Sequence, residues 1–200
     1  IAFVAALGST WADSEHRGLY RTLDGGKTWT KVLSSDARSG CCDVVMDPRN
    51  PDKLFASLWD HRREPHTFRS GGPGSGLYRS LDGGTTWQKL GEVEGLPGGD
   101  YGRQGLAIAA SDPRIVYALI ECNKNALYRS EDGGFRWQMV NNGENVAPRP
   151  FYFCDIQVDP RDANRIYNLG MIVELSTDAG RSFRPIASWV THPDNHSLWI

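Results

Sequence analysis

Gly18-Leu19-Tyr20-Arg21-Thr22-Leu23-Asp24-Gly25-Gly26-Lys27-Thr28-Trp29 returns as Gly76-Leu77-Tyr78-Arg79-Ser80-Leu81-Asp82-Gly83-Gly84-Thr85-Thr86-Trp87. It returns again as Ala126-Leu127-Tyr128-Arg129-Ser130-Glu131-Asp132-Gly133-Gly134-Phe135-Arg136-Trp137. A looser copy runs Val173-Glu174-Leu175-Ser176-Thr177-Asp178-Ala179-Gly180-Arg181-Ser182-Phe183. The aspartates stand at 24, 82, 132 and 178, so the steps between them are 58, 50 and 46 residues. Periods near this length mark propellers or solenoids. Each part of the motif has a mechanical use. The carboxylate accepts N–H groups of its own turn. The glycines supply backbone angles closed to other residues. The aromatic ring has an apolar body that can pack the hairpin against the next sheet. Asp24, Asp82, Asp132 and Asp178 are therefore structural hairpin residues, not catalytic ones.

A second element keeps step with the first. Asp47-Pro48 precedes Leu54–Trp59, Asp112-Pro113 precedes Ile115–Ile120, and Asp159-Pro160 precedes Ile166–Leu169. Each Asp-Pro lies between two β-rich runs and reads as a turn. One unit thus has four strands, in the second unit near 41–46, 53–58, 76–81 and 86–90. No helical periodicity of useful length competes. Four short strands per radial unit make the blade of a β-propeller. The expected fold is all-β, with complete blades at 41–90, 105–140 and 153–186. A partial blade is expected over 1–33, and the first strand of a further blade over 196–200. The expectation is a segment of a larger propeller, because an open ring leaves strand edges and apolar blade faces uncovered.

Composition agrees and excludes other classes. Of 200 residues, 40% are hydrophobic, enough to bury a core. The net charge of −2 gives no basic footprint for nucleic acid. No apolar run is long enough for a membrane-spanning helix. Cys41, Cys42, Cys122 and Cys154 lack metal-ligand spacing and read as small buried residues, with a bridge from Cys42 to Cys154 or Cys122 left open. No cofactor and no metal are expected.

The repeats resemble Asp-boxes, the bacterial neuraminidase (BNR) repeats. Together with Ser70–Arg79, Arg149-Pro150-Phe151-Tyr152-Phe153 and His192–Ile200, they resemble the bacterial sortilin-like, BNR-repeat glycosyl hydrolase group. The resemblance implies an exported propeller, extracellular or periplasmic, that meets a polysaccharide or a protein. It specifies the fold far better than the reaction.

Strand order sorts the loops. In a four-stranded antiparallel blade, the Asp-Pro turns and Asp-boxes share one rim. The opposite rim collects the irregular segments 11–17, 60–76, 91–104, 141–151 and 188–195. Long loops on one edge of a rigid scaffold suit ligand binding. Candidate contacts there are His61, Arg62, Arg63, Tyr101, Arg103, Arg149 and Tyr152. His192, Asp194 and His196 alternate and would face one way in an extended segment; with Pro193 between them they read as ligand contacts, not metal ligands. Arginines can grip a substrate carboxylate, and Trp11, Trp59, Phe68, Tyr101, Phe151 and Tyr152 can stack on sugars or pack blades.

The innermost strands line the channel. Aligned on the Asp-Pro turns, Asp43 and Asp155 share one position and Ile108 takes it in the unit between, while Cys42, Ala107 and Cys154 share the preceding one. A glycoside hydrolase needs two carboxylates, one as general acid and the other as base or nucleophile. Asp43 and Asp155 are the candidates, with Asp13, Glu15, Asp60 and Asp100 as weaker ones. The alternative is a non-catalytic sortilin-type propeller that grips a peptide or protein.

Overall fold

A computed structural model describes residues 1–186 and 192–200. Its strands make four antiparallel sheets in sequence order. The first holds β1 (Ala2–Ala6), β2 (Gly18–Thr22) and β3 (Thr30–Leu33). The second holds β4 (Ser39–Met46), β5 (Leu54–Arg63), β6 (Phe68–Ser70), β7 (Gly76–Ser80) and β8 (Gln88–Leu90). The third holds β9 (Gln104–Ile108), β10 (Val116–Ile120), β11 (Ala126–Ser130) and β12 (Gln138–Asn141). The fourth holds β13 (Asp155–Asp159), β14 (Asp162–Leu169), β15 (Glu174–Ser176) and β16 (Arg184–Pro185). One 3-10 turn, Glu92–Glu94, is the only helical element among the described residues. This is the blade architecture of a β-propeller.

The four hairpins repeat one hydrogen-bond scheme. Asp82 Oδ1 accepts from the Thr86 amide at 2.8 Å and Oδ2 from the Thr86 hydroxyl at 2.6 Å. The Ser80 hydroxyl bonds Asp82 Oδ1 at 2.8 Å and accepts the Gly84 amide at 2.9 Å. Asp24 and Asp178 do the same with Thr28 and Ser182. Asp132 keeps the amide bond but faces Arg136, so its box lacks the second hydroxyl. Hydrogen bonds from Thr28 hold Asp24 down at about 2, and those from Thr86 hold Asp82 at about 2.

The aromatic residue of the box packs against the preceding sheet, not the next one. Trp137 meets Phe55 of the second sheet edge-to-face at 6.1 Å, and its indole N–H bonds the Gly134 carbonyl at 3.2 Å. Trp87 packs against the cluster between the first and second sheets. Trp29, in the first sheet, is 42% exposed. The repeat arginine ties sheets in the other direction. Arg21 bonds the Gly83 carbonyl at 2.7 Å and Arg79 the Gly134 carbonyl at 2.9 Å. Each is a charge-assisted bond into the following hairpin.

The rims separate as the strand order requires. The second, third and fourth boxes each donate an amide to the turn of their own blade: Gly83 to Asp52, Gly133 to Arg114, and Ala179 to Asn164. The long segments bond one another, and two of them also reach the following box: Glu94 accepts the Trp137 amide at 2.7 Å, and Asn141 donates to the Gly180 carbonyl at 3.0 Å. Arg63 donates its amide to Thr10, Ser14 to Ala37, and Gly72 bridges to Tyr101. One expected loop is more regular than its composition suggested. β5 runs on to Arg63 and pairs with β6 through Arg62 opposite Arg69, so much of 60–76 is a hairpin. Residues 188–191 of the expected rim lie outside the described residues.

The innermost strands β4, β9 and β13 stand side by side in that order, and β1 neighbours β4. The expected strand at 196–200 pairs with no strand among the described residues, since a ladder needs a second strand. All four cysteines are free thiols, so the bridge left open is not made. Burial pushes the Cys41 and Cys154 thiols well up.

Candidate functional site

Ladder register corrects the alignment of the inner strands. Asp43 lies opposite Ser57, which lies opposite Leu77. In the third sheet the same row is Gly105, Leu119 and Leu127. In the fourth sheet Asp155 lies opposite Leu169. Gly105, not Ile108, is therefore the counterpart of Asp43 and Asp155, and Gln104, not Ala107, is adjacent to it. The reason is the turn: Asp52 and Arg114 play the same part, so Asp112-Pro113 matches Asn50-Pro51 and not Asp47-Pro48. The third unit carries its Asp-Pro three residues later within a turn of unchanged length.

This places a glycine between the two aspartates. A Cβ on Gly105 would lie 2.0 Å from the Cys154 carbonyl oxygen, so β9 and β13 approach more closely than a side chain allows. Asp43 and Asp155 line one cavity of about 480 Å3 with Leu106, Ala107, Ile156 and Gln157. Asp43 Oδ2 accepts the Leu106 amide at 2.8 Å. Burial pushes Asp43 up to about 6; the Leu106 amide pulls the other way, and the charge of Asp155 adds to the rise. Asp155 pairs with Arg103 at 3.2 Å, and Arg103 also bonds the Tyr152 carbonyl at 2.9 Å.

On the loop rim, Arg149, Tyr152, Asp194 and His196 gather around Phe153 in a cleft of about 370 Å3. His196 stacks on Phe153 at 4.9 Å, and its Nε2 lies 2.9 Å from Asp194 Oδ1. Asp194 has φ +123°, which breaks the extended run assumed for His192, Asp194 and His196. His192 is exposed and does not line the cleft. Among the described residues no three potential ligands cluster for a metal ion. Arg62 pairs with Asp13 at 3.6 Å, and Arg63 lies over the Phe68 ring.

Two expected contacts are core residues. His61 is wholly buried and stacked on Trp59 at 4.4 Å; burial pushes it down to about 4, against the bond to the Trp59 carbonyl. Tyr101 is 4% exposed and its hydroxyl bonds the Pro97 carbonyl at 2.7 Å. Alternation in β5 points His61 inward beside Trp59, and the Gly-rich turn after Pro97 folds Tyr101 over the second interface. The weaker candidate Asp60 is also buried, bound to Arg38 and Arg69, and staples the β5–β6 hairpin. Sequence reading passed over a further carboxylate, Glu174, which with Asn168 lines a second cavity beside Arg149 and Phe153. Its signal was a departure from the repeat: Tyr occupies the matching position at 20, 78 and 128.

The BNR/Asp-box repeat model matches residues 20–31 and 78–89. No curated protein matches the chain. Among solved structures, the GH74 xyloglucanase from Xanthomonas campestris is similar at 20% identity and TM-score 0.61, over 88% of this chain and 26% of that one. The GH74 enzyme of Niastella koreensis is similar at 20% identity and TM-score 0.56, over 84% and 26%. YCF48 from Cyanidioschyzon merolae is similar at 14% identity and TM-score 0.51, over 74% and 37%. The chain thus spans about a quarter of the length of the two GH74 enzymes. It carries Asp-box repeats and shares the propeller fold of these proteins.

Proposed function

We propose that this propeller is carbohydrate-active, an exported (extracellular or periplasmic) protein that holds a glycan along its long-loop rim and channel mouth. The observation that supports hydrolysis is the pair Asp43 and Asp155, at equivalent positions of the innermost strands of two sheets, lining one cavity, with only Gly105 at the matching position of the strand between them. Asp43, pushed up to about 6, is suited to protonate a leaving glycosidic oxygen. Asp155, oriented by Arg103, is the base or nucleophile. Arg149, Tyr152, Asp194 and His196 would hold sugar units outside the channel.

A second reading, a non-catalytic sortilin-type module that binds a peptide or protein, has its own support. Both carboxylates are already bonded within the fold, to Leu106 and Arg103, and a propeller of similar fold is YCF48 bound to D1 peptide. Aryl glycosides and plant or host polysaccharides, offered to the protein and to its Asp43→Asn and Asp155→Asn variants, separate the two. Turnover lost in either variant supports hydrolysis. Saccharide binding without turnover removes the catalytic role, and peptide binding with no saccharide response favours the second reading.

A further inference from the structure

Three repeat copies carry tyrosine at one position, Tyr20, Tyr78 and Tyr128, and the fourth carries Glu174. The cross-strand partner changes with it. Tyr78 lies opposite Ala56 and Tyr128 opposite Ala118, but Glu174 lies opposite Asn168. In the third sheet, Tyr128 joins Leu96 and Tyr101 in a closed apolar cluster against the second sheet. At the corresponding place before the fourth sheet, a cavity of about 280 Å3 stays open, lined in part by Pro148, Arg149, Phe153, Met171, Asn168 and Glu174. Replacing an apolar pair by an amide and a carboxyl is unfavourable as packing. Here both replacements face the same void, on the same rim as the Phe153 cleft, and the two cavities share Arg149, Phe153 and Met171.

The polar groups are only partly occupied. Asn168 is 7% exposed and donates through Nδ2 to the Val146 carbonyl at 3.0 Å and to Glu174 Oε2 at 3.4 Å. The second of these is long, so the carboxyl keeps acceptor capacity for another donor. Burial raises Glu174, against that same bond, which favours a carboxyl able to donate as well as accept. Arg149 at the mouth lies 5.2 Å from the Tyr152 ring and 3.9 Å from the Met171 sulfur. Its charge opposes a cationic occupant, and Glu174 opposes an anionic one. What fits is a neutral molecule with hydroxyls on one edge and C–H groups on a face.

We propose that Glu174 and Asn168 form a saccharide subsite, gripping adjacent hydroxyls of one neutral sugar unit while its apolar face rests on Phe153 and Met171. This rests on the carbohydrate reading above and extends it to a defined pocket away from Asp43 and Asp155. The double variant Asn168→Ala, Glu174→Tyr rebuilds the pair of the second and third sheets and should melt no lower than the parent. Calorimetric titration would use neutral oligosaccharides built on glucose, xylose, galactose or mannose. At least one binds the parent, binds the double variant about tenfold or more weakly, and binds Lys27→Ala, an exposed change in the first Asp-box hairpin, as the parent does. The single variants Glu174→Gln and Asn168→Ala each weaken it as well, which keeps the test intact if the double variant folds poorly. A saccharide bound equally by all four variants overturns this subsite and leaves the carbohydrate reading standing. A saccharide lost only with Asp43→Asn moves binding to the channel and also overturns it. If none of the panel binds the parent, both readings fall.

Discussion

Replacing Asp43 by Asn should remove a loss of stability that the parent suffers as pH rises from 4 to 6. The carboxyl rises from 3.8 to about 6 on folding. Across that interval the folded state holds a proton that the unfolded state has released. Stability contributed by the protonated form is present below the unfolded value and is lost as pH climbs through the folded one. The full shift corresponds to about 3 kcal/mol, and solvent at a half-buried carboxylate reduces it to about 2 kcal/mol. Asparagine stays neutral throughout and its Oδ1 can still accept the Leu106 amide. The variant should therefore match the parent near pH 4 and exceed it by about 2 kcal/mol at pH 7. Urea unfolding followed by tryptophan fluorescence and circular dichroism, at half-unit steps, reads this difference. Parent and variant curves that run parallel from pH 4 to 7 would refute the reasoning. The box aspartates act in the opposite sense. Asp24, Asp82 and Asp178 are each held at about 2, so their stabilisation is present above 3.8 and is lost as pH falls through the folded values.

Trp137→Ala should lower stability by about 3–5 kcal/mol because it empties the second interface, while Trp29→Ala, 42% exposed, should change it by less than about 1 kcal/mol; equal losses in urea midpoints would contradict the direction of wedge packing. Gly105→Ala should lower the melting temperature, since its methyl meets the Cys154 carbonyl in a strand pair that cannot separate without disturbing the channel, at a cost of about 1–3 kcal/mol. An unchanged melt would show that β9 and β13 are not in close approach. Cys41 and Cys154, fully buried and pushed up, should resist a thiol reagent at pH 8 until urea is added. Peptide mapping that finds either one labelled in the native protein would contradict their burial.

Much of the architecture was legible in the chain because hairpin chemistry is local. Ser80, Asp82, Gly84 and Thr86 bond within a few residues of one another, so their spacing alone announces the turn, and four turns in phase announce the blades. Loop segregation followed from strand count by geometry. The direction of Trp137 was not legible, since a ring at a hairpin base can lean to either neighbour and only Phe55 decides it. Nor was the burial of His61 and Tyr101: their place in a long segment suggested solvent, but the β5–β6 hairpin and the Pro97 turn fold them inward.

The sequence by itself determined the repeat, the hairpins and the sheet order, because each depends on bonds made within one blade. Only the tertiary structure decided which residue stands beside Asp43 on the neighbouring inner strand. The Asp-Pro turn of the third unit slides its proline along a turn of constant length, so counting residues from it misplaced Ile108 at the position equivalent to Asp43. Ladder pairing with β10 put Gly105 there instead. Register is fixed by partners on neighbouring strands, and a strand does not carry its partners' positions in its own residues.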